Sequence, residues 1–147
     1  MKECIICDLD GTLSLFDKDK KNPYNRDFEN DECSQPVRFL LENYSKEYPE
    51  SKIFFLSGRN DKAKFATLQF FMKNFSKEFI LRGNYELVMR RNKDFRKDTI
   101  IKEEMYKEHI KGKYDVDFVI DDRLQVCRLW YELGLFVFNV NQGLIEF

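Results

Sequence analysis

Short apolar runs alternate with longer amphipathic segments along this chain. Five of the runs are predicted strands, because short, nearly continuous apolar stretches are typical of strands buried on both faces. They are residues 4–7, 53–56, 86–89, 116–120 and 135–140. We favour 86–89 over a competing run at 79–81 as the third strand. The polar residues 13–32 are predicted to be loop.

Four intervening segments carry apolar residues at helical spacing. Ser34 is expected to cap the first helix, Asn60 or Asp61 the second, and Asp98 the third. Gly134 is expected to end the fourth. The apolar positions are Val37, Leu40, Leu41 and Tyr44; Ala63, Phe65, Leu68, Phe71, Met72 and Phe75; Ile100, Ile101, Met105 and Ile110; and Val126, Leu129, Trp130 and Leu133.

This alternation of strands and helices predicts a three-layer α/β fold with a central parallel sheet of about five strands. With 147 residues, 43% of them hydrophobic, the chain can bury one ordinary core, so we expect a single domain over residues 1–147. We assign Trp130 and the fifteen Phe residues to that core.

Charge and cysteine content narrow the classes of function. The 25 basic and 26 acidic side chains nearly cancel, which excludes a polyanion-binding field over the whole surface. No stretch resembles a signal peptide or a membrane span, so we expect a cytoplasmic protein. The Lys-, Asn- and Phe-rich composition fits an AT-rich genome, such as that of a phage acting in its host or of a low-GC bacterium. Cys4 and Cys7 have the spacing of a redox pair. On a strand, however, they would point to opposite faces, which disfavours a redox role.

Three polar clusters follow three of the predicted strands: residues 8–12, residues 57–59 and residues 121–123. In an open α/β sheet the carboxyl ends of the strands line one crevice, so these clusters should converge. Their carboxylates suit a hard cation such as Mg²⁺, and their hydroxyl and basic groups suit the oxygens of a phosphoryl group. The sequence therefore predicts a metal-dependent phosphatase.

Simpler interpretations exist for each cluster. Asp8-Leu9-Asp10-Gly11 could be a turn after a strand; a calcium loop would need further ligands and a closing glutamate that are missing. Ser57-Gly58-Arg59 alone could be an ordinary loop. Asp121 and Asp122 could cap the next helix, a role compatible with metal binding.

The order Asp8-Leu9-Asp10-Gly11-Thr12, Ser57, a downstream lysine and Asp121-Asp122 resembles the four motifs of the haloacid dehalogenase (HAD) superfamily over nearly the whole chain. The superfamily implies a Rossmann-like fold, here with a minimal cap domain or none. A closer resemblance is to the 3′-phosphatase domains of bacteriophage polynucleotide kinase-phosphatases. It rests on Pro23-Tyr24, Ser57-Gly58-Arg59, Arg96-Lys97-Asp98 with Lys102-Glu103-Glu104, and Asp121-Asp122-Arg123 with Gln125-Val126.

The resemblance implies that Asp8 is a nucleophile forming an aspartyl-phosphate. Mg²⁺ would be bound by Asp8, the Asp10 carbonyl, Asp121 and Asp122. Asp10 would protonate the leaving oxygen and then accept a proton from water. Lys102, favoured over Lys97, would be the counter-ion of the nucleophile and phosphate.

The remaining assignments concern the substrate. Thr12 and Ser57 would bond phosphoryl oxygens, and Gly58, Arg59, Arg96, Lys97 and Asp98 would lie on the substrate side. Where the family has an arginine before its Pro-Tyr pair, this chain has Lys20 and Lys21, and Lys21 is the candidate.

Segment lengths predict an open crevice. Neither residues 12–34 nor residues 57–97 leave room for a folded lid, which favours a macromolecular substrate, a polynucleotide 3′-phosphate, with residues 13–32 and the basic stretch 90–97 as walls. The Gly-rich phosphate loop of a kinase is absent from the sequence, so a kinase or ligase would be a separate module. The alternatives are a HAD phosphatase acting on a small metabolite, nucleotide or phosphoprotein, and a catalytically silent phospho-ligand binding module.

Overall fold

The strands follow the apolar runs closely in the computed structural model, which describes residues 1–16 and 26–146. They are β1 (Lys2–Cys7), β2 (Ser14–Leu15), β3 (Glu32–Cys33), β4 (Lys52–Asn60), β5 (Tyr85–Arg90), β6 (Tyr114–Asp121) and β7 (Val137–Asn139). The large sheet has the order β5-β4-β1-β6-β7 with every pairing parallel. The α/β prediction, with a parallel sheet of five strands, is confirmed.

Helices cover both faces of this sheet. They are α1 (Gln35–Glu47), α2 (Lys64–Asn74), α3 (Lys77–Arg82), α4 (Asp98–His109) and α5 (Leu124–Glu132). Ser34 caps α1 as predicted, accepting a hydrogen bond from the backbone N–H of Val37 at 3.5 Å. Within residues 1–16 and 26–146, no helix is long and apolar enough to cross a membrane.

Two hydrophobic cores separate the three layers. Ile5 and Cys7 of β1 point into one core, shared with α1, α2 and α3, whereas Cys4 and Ile6 point into the other, shared with α4 and α5. This alternation is the two-residue period of a strand. It also separates Cys4 from Cys7, and all four cysteines of the chain are free and buried.

The preference for 86–89 over 79–81 as the third strand is confirmed, because 86–89 lies in β5, whereas 79–81 belongs to α3, which Ser76 caps and Gly83 ends at φ +62°. Other local predictions fail. The expected loop 13–32 contains the antiparallel pair β2 and β3 and a 3₁₀ turn at Phe28–Asn30. Asp98 is the first residue of α4 rather than its cap, which is Lys97.

The assignment of every Phe to the core is also wrong, and Leu40 and Met72, two of the apolar positions at helical spacing, are exposed. Helical spacing identifies a face of a helix but not how far the neighbouring layer covers it. Among residues 1–16 and 26–146, the exposed Phe residues are Phe39, Phe65, Phe95, Phe136 and Phe138.

The segment between β1 and α1 bears on access to the crevice. In its described part it contains only β2, β3 and the 3₁₀ turn. No cap domain is present among the described residues, as the predicted segment lengths required.

The aromatic core around α2 offers a test of this packing. The ring of Phe71 lies 4.7 Å from Phe55 and 5.9 Å from Tyr85, centroid to centroid, and the residue is fully buried. Phe71→Ala should lower the free energy of unfolding by about 3–5 kcal/mol, since it leaves a cavity. Phe65→Ala, on the same helix but 74% exposed, should change it by less than about 0.5 kcal/mol. Urea denaturation followed by circular dichroism measures both, and equal losses would contradict this packing.

Candidate active site

Three carboxylates converge where β1 and β6 end. Asp8 follows β1, Asp121 is the last residue of β6, and Asp122 comes next. The two strands are parallel neighbours, and the backbone N–H of Asp8 still donates to the carbonyl of Ile120 at 3.0 Å. Consequently one oxygen from each of Asp8, Asp121 and Asp122 lies within 4.8 Å of the others, and all three residues are buried.

Lys102 is the cation inside this cluster. Its position on α4, which packs under the end of β4, brings Nζ to 2.6 Å from Oδ1 of Asp8 and 3.5 Å from Oδ2 of Asp121. Only 1% of the residue is exposed. Burial lowers the pKa of Lys102, but the charges of Asp121 and Asp8 outweigh burial and raise it well above its ordinary value. Lys102 is therefore protonated at neutral pH, beside Asp8.

Neighbouring donors fix the orientation of Asp121. Its Oδ1 accepts hydrogen bonds from the backbone N–H groups of Asp122 (2.9 Å) and Arg123 (3.1 Å). Its Oδ2 accepts one from the indole Nε1 of Trp130 at 3.2 Å, in addition to the contact with Lys102. Both oxygens of Asp121 are thus engaged.

Asp122 is held more loosely and is close to the first motif. Thr12 donates its hydroxyl to Oδ1 of Asp122 at 3.0 Å, with Oδ2 of Asp8 at 3.3 Å as the longer alternative. Gly11 has φ +85°, and a Cβ atom there would lie 2.1 Å from Oδ2 of Asp122. Glycine is required at this position by both the backbone conformation and the space.

Negative charge exceeds positive charge in the cluster. With all three carboxyl groups ionised, Asp8, Asp121 and Asp122 carry three negative charges against the one positive charge of Lys102, which leaves two negative charges. Burial raises the pKa of Asp8 well above its ordinary value and the charge of Asp121 raises it further; burial likewise raises that of Asp122. Three buried carboxylates with a surplus charge of two fit a hard divalent cation such as Mg²⁺.

Asp10 lies in a separate ionic network. Its carboxylate accepts hydrogen bonds from Nε of Arg59 at 3.1 Å, from Nη2 of Arg59 at 2.8 Å, and from Nη2 of Arg26. Burial would raise the pKa of Asp10, but the charges and hydrogen bonds of Arg59 and Arg26 outweigh it, so the pKa is lowered. In this arrangement Asp10 is ionised.

A second carboxylate balances this network. Asp31 accepts from Nε of Arg26 at 3.0 Å and from Nη2 of Arg59 at 3.3 Å, and the Ser14 hydroxyl donates to it at 2.6 Å. The ring of Phe28 lies 4.5 Å from the guanidinium of Arg26 and 4.3 Å from that of Arg59. In the described part of the chain, two arginines and two carboxylates therefore form an ionic cluster against an aromatic ring.

The second motif lies on the other side of the crevice. Ser57 is buried, and its hydroxyl oxygen accepts the backbone N–H of Arg59 at 3.0 Å, which leaves its proton free to donate. A Cβ atom at Gly58 would lie 2.2 Å from Oδ1 of Asp98, so glycine permits the approach of α4. Asp98 in turn pairs with Arg90 at 3.4 Å and Arg123 at 3.7 Å.

The profile of the polynucleotide kinase PNKP phosphatase-domain family matches residues 2–145. This chain belongs to that family. The family and the five-stranded parallel fold together identify a HAD-type phosphatase domain.

Two relatives are similar over most of this chain. A protein of Autographa californica nuclear polyhedrosis virus, which carries the name of a bifunctional polynucleotide kinase/RNA ligase, is 33% identical over 97% of this chain and 20% of its own length. A chain in the structure of the Pnkp1/Rnl/Hen1 RNA repair complex is 39% identical, with a TM-score of 0.83, over 97% of this chain and 43% of its own. This chain thus spans less than half of either relative.

More distant solved structures share the fold alone. The HAD domain of effector protein Lem4 from Legionella pneumophila is 16% identical, with a TM-score of 0.60, over 99% of this chain and 88% of its own. The class C acid phosphatase from Bacillus anthracis with tungstate bound is 14% identical, with a TM-score of 0.58, over 97% of this chain and 69% of its own.

Within the phosphatase-domain fold, the predicted site residues occupy different places. The structure brings together Asp8, Thr12, Lys102, Asp121 and Asp122. Asp10, expected to contribute its carbonyl to the metal, turns its side chain towards the arginines. Asp98 lies one turn before Lys102 on α4.

Four basic residues are predicted on the substrate side: Lys21, Arg59, Arg96 and Lys97. Arg59 is buried and paired with Asp10, so its guanidinium is inside the site rather than on an outer wall. Arg96 is exposed but bound to Asp94 and Glu104, and Lys97 is exposed at the start of α4. Lys21 lies outside the described residues.

Sequence reasoning missed Arg26 and Asp31. Both lie in the segment predicted to be loop, where neither strand nor helix periodicity marks a buried residue. The rings of Phe16 and Phe28 contact the Arg26 guanidinium, but only Phe28 is close to Arg26 in the sequence.

The surplus charge predicts how Asp122 affects stability. Asp122→Asn should raise the free energy of unfolding in EDTA by about 0.5–2 kcal/mol, because it removes a crowded carboxylate from a functional site. It should also abolish most of the rise in Tm that Mg²⁺ gives the wild type. Asp115→Asn, at an exposed acid on β6, the strand that Asp122 follows, is the control and should alter neither quantity. Calorimetry at several Mg²⁺ concentrations measures both, and a full Mg²⁺ response in Asp122→Asn would contradict this role.

The arginine network predicts a pH dependence of stability. Since the folded-state pKa of Asp10 is lowered, its ionised form stabilises the fold fully above its unfolded value, about pH 4, and this contribution disappears as the pH falls through the lowered value. Asp10→Asn should therefore be less stable than the wild type near pH 7. The difference should shrink below about pH 4. Urea denaturation across this range measures it, and a difference that grows on acidification would refute the assignment.

Proposed function

We propose that this chain is a Mg²⁺-dependent phosphomonoesterase that removes 3′-phosphates from polynucleotide ends through an aspartyl-phosphate on Asp8. The observation that supports it most directly is the contact of the buried Asp8 carboxylate with Lys102, beside Asp121 and Asp122. An anionic nucleophile can approach a phosphate dianion only where positive charge offsets their repulsion. Lys102 supplies one such charge from the protein.

The first chemical step forms a bond between an Asp8 oxygen and phosphorus while the bond from phosphorus to the 3′ oxygen breaks. A cation held by Asp8, Asp121, Asp122 and the Asp10 carbonyl would neutralise charge between nucleophile and phosphate. The hydroxyls of Thr12 and Ser57 would donate hydrogen bonds to phosphoryl oxygens. Lys102 holds Asp8 in place during attack.

Asp10 carries the proton in both steps of the proposed mechanism. It gives a proton to the departing 3′ oxygen, then accepts one from the water that attacks phosphorus and releases inorganic phosphate from Asp8. Arg59 and Arg26 now favour its ionised form. We infer that an entering phosphate dianion draws at least one of these guanidinium groups away from Asp10, which lets Asp10 bind the proton that the first step needs.

The choice of a polynucleotide rests on two further observations. No cap domain covers the crevice in the described part of the chain, so a chain end can enter. The family is that of polynucleotide kinase phosphatase domains, and the two similar relatives bear names of nucleic-acid repair enzymes and assemblies. Within this proposal, residues 1–147 act as one phosphatase module in the cytoplasm, and a kinase or ligase activity comes from a separate module.

A substrate panel tests the proposal. Wild-type protein should release phosphate from a 3′-phosphorylated oligonucleotide in Mg²⁺ and lose this activity in EDTA. It should favour that substrate over a 5′-phosphorylated oligonucleotide, a small phosphorylated metabolite and a phosphopeptide. Asp8→Asn should reduce kcat by at least about 10³-fold, as expected for loss of a nucleophile.

Two lysine variants test whether the buried lysine beside Asp8, and not just any lysine near the site, supports catalysis. Lys102→Gln should reduce kcat strongly, since it leaves Asp8 without its buried counter-ion, whereas Lys97→Gln, with an exposed lysine at the start of α4, should retain most of kcat. Malachite green detection of phosphate suffices for every substrate. Preference for the metabolite or the phosphopeptide would reject the polynucleotide assignment while leaving the phosphatase assignment intact.

A further inference from the structure

The loop of residues 91–97, between β5 and α4, presents an aromatic ring to solvent. Phe95 is 91% exposed, the highest value among the exposed large hydrophobic residues of the described chain. Burying a Phe side chain normally stabilises a fold, a contribution that this residue forgoes. A single exposed apolar residue is common on protein surfaces, so exposure alone decides nothing. The way in which the loop is held makes this one different.

Arg90 fixes the backbone on both sides of Phe95. Its Nη1 donates to the carbonyl oxygens of Asp94 at 3.1 Å and Arg96 at 2.5 Å. The Asp94 carboxylate also accepts the backbone N–H of Arg96 at 3.2 Å, which closes a ring of hydrogen bonds around Phe95. The outward position of the ring is therefore built into the loop, and ordering it on binding would cost little entropy.

The same contacts attach the loop to the catalytic crevice. Nε of Arg90 donates to the carbonyl of Gly58 at 2.8 Å, and its Nη2 reaches Asp98 at 3.4 Å. Asn60, at the end of β4, donates to the side chain of Asn92 at 2.9 Å. The loop that carries Phe95 is thus held by hydrogen bonds through Arg90 to Gly58 and Asp98.

Positive charge surrounds this ring unevenly. Arg96 is committed to a bidentate pair with Glu104, at 2.7 Å for each contact, and to Asp94, so it braces the loop. Its guanidinium lowers the pKa of Asp94 to about 2. Lys93 and Lys97 are exposed and form no ion pair with any residue in the described part of the chain. Arg91 is exposed, with one long contact to Glu108 at 3.7 Å.

We propose that Phe95 is a stacking platform for a base of a single-stranded polynucleotide whose 3′-phosphate lies at Asp8, with Arg91, Lys93 and Lys97 contacting backbone phosphates. This inference rests on the proposed function and specifies how the substrate chain is held. A rigid aromatic ring flanked by cations is the combination that binds single strands without sequence preference. A base of a single strand offers the π-face that such a ring requires.

The test compares substrates with and without bases. For wild type and Phe95→Ala, we would measure kcat/KM on a 3′-phosphorylated single-stranded oligonucleotide and on an aryl phosphate. The ratio of the two values should fall about tenfold in Phe95→Ala, because stacking contributes about 1–3 kcal/mol per base. Phe95→Trp should restore it. Phe65→Ala, which removes another exposed ring from α2, should leave the ratio unchanged.

The outcomes separate this inference from the proposed function. If the wild type hydrolyses the oligonucleotide and the ratio is the same in Phe95→Ala, the platform is wrong and the function stands. If the wild type hydrolyses the aryl phosphate but not the oligonucleotide, both fail. If Phe95→Ala lowers kcat/KM on a phosphopeptide by the same factor, Phe95 has a general docking role, and the proposed base-stacking platform is wrong.

A binding measurement gives a second readout that does not need turnover. Fluorescence anisotropy of an unphosphorylated single strand with Asp8→Asn protein should show weaker binding after the additional change Phe95→Ala. Adding Lys97→Gln instead should reduce the slope of log K against log salt, since one phosphate contact is lost. Unchanged affinity in the Phe95 variant would overturn the proposal.

Discussion

The crowding of three carboxylates around one ammonium group is the constraint on which this structure depends. Each buried charge loses its hydration, and Asp8, Asp121 and Asp122 also repel one another. The surrounding chain compensates with aimed donors: backbone N–H groups and an indole for Asp121, a hydroxyl for Asp122, and Lys102 for Asp8. Such a site tends to lower stability, which is the usual consequence of preorganised charge.

The neighbouring ionic cluster of Asp10, Asp31, Arg26 and Arg59 differs in that cations and carboxylates face one another in pairs. Among the described residues, Arg26 and Arg59 face the carboxylates of Asp10 and Asp31, and the ring of Phe28 lies against both guanidinium groups. This cluster joins the segment between β1 and α1 to the end of β4, so it stabilises the irregular part of the chain next to Asp8, Asp121 and Asp122. Asp10 belongs to both regions, since its backbone continues from Asp8 while its side chain binds the arginines.

The sequence alone predicted the features that follow from a regular spacing of apolar residues along the chain. The strands of the sheet, the helices on both faces and the meeting of Asp8 with Asp121 follow from apolar runs and from the geometry of parallel strands. The short run at 79–81 could not be separated from a strand by apolar character, because only the caps at Ser76 and Gly83 distinguish the two. Ion pairs such as that of Arg26 with Asp31 follow no regular spacing in the sequence, so only the three-dimensional structure reveals them.

The two aspartates of the first motif stand in opposite electrostatic environments. The protein's own groups raise the pKa of Asp8 and lower that of Asp10, whereas the proposed reaction needs an ionised Asp8 and, at first, a protonated Asp10. A cation beside Asp8 would favour its ionised form, and a phosphate that competes for Arg59 or Arg26 would release Asp10. Each ligand thus shifts one of the two carboxyl groups towards the protonation state that the reaction needs. On this reasoning neither ligand alone prepares the site, and the nucleophile and its proton donor are ready together only when metal and phosphate are both bound.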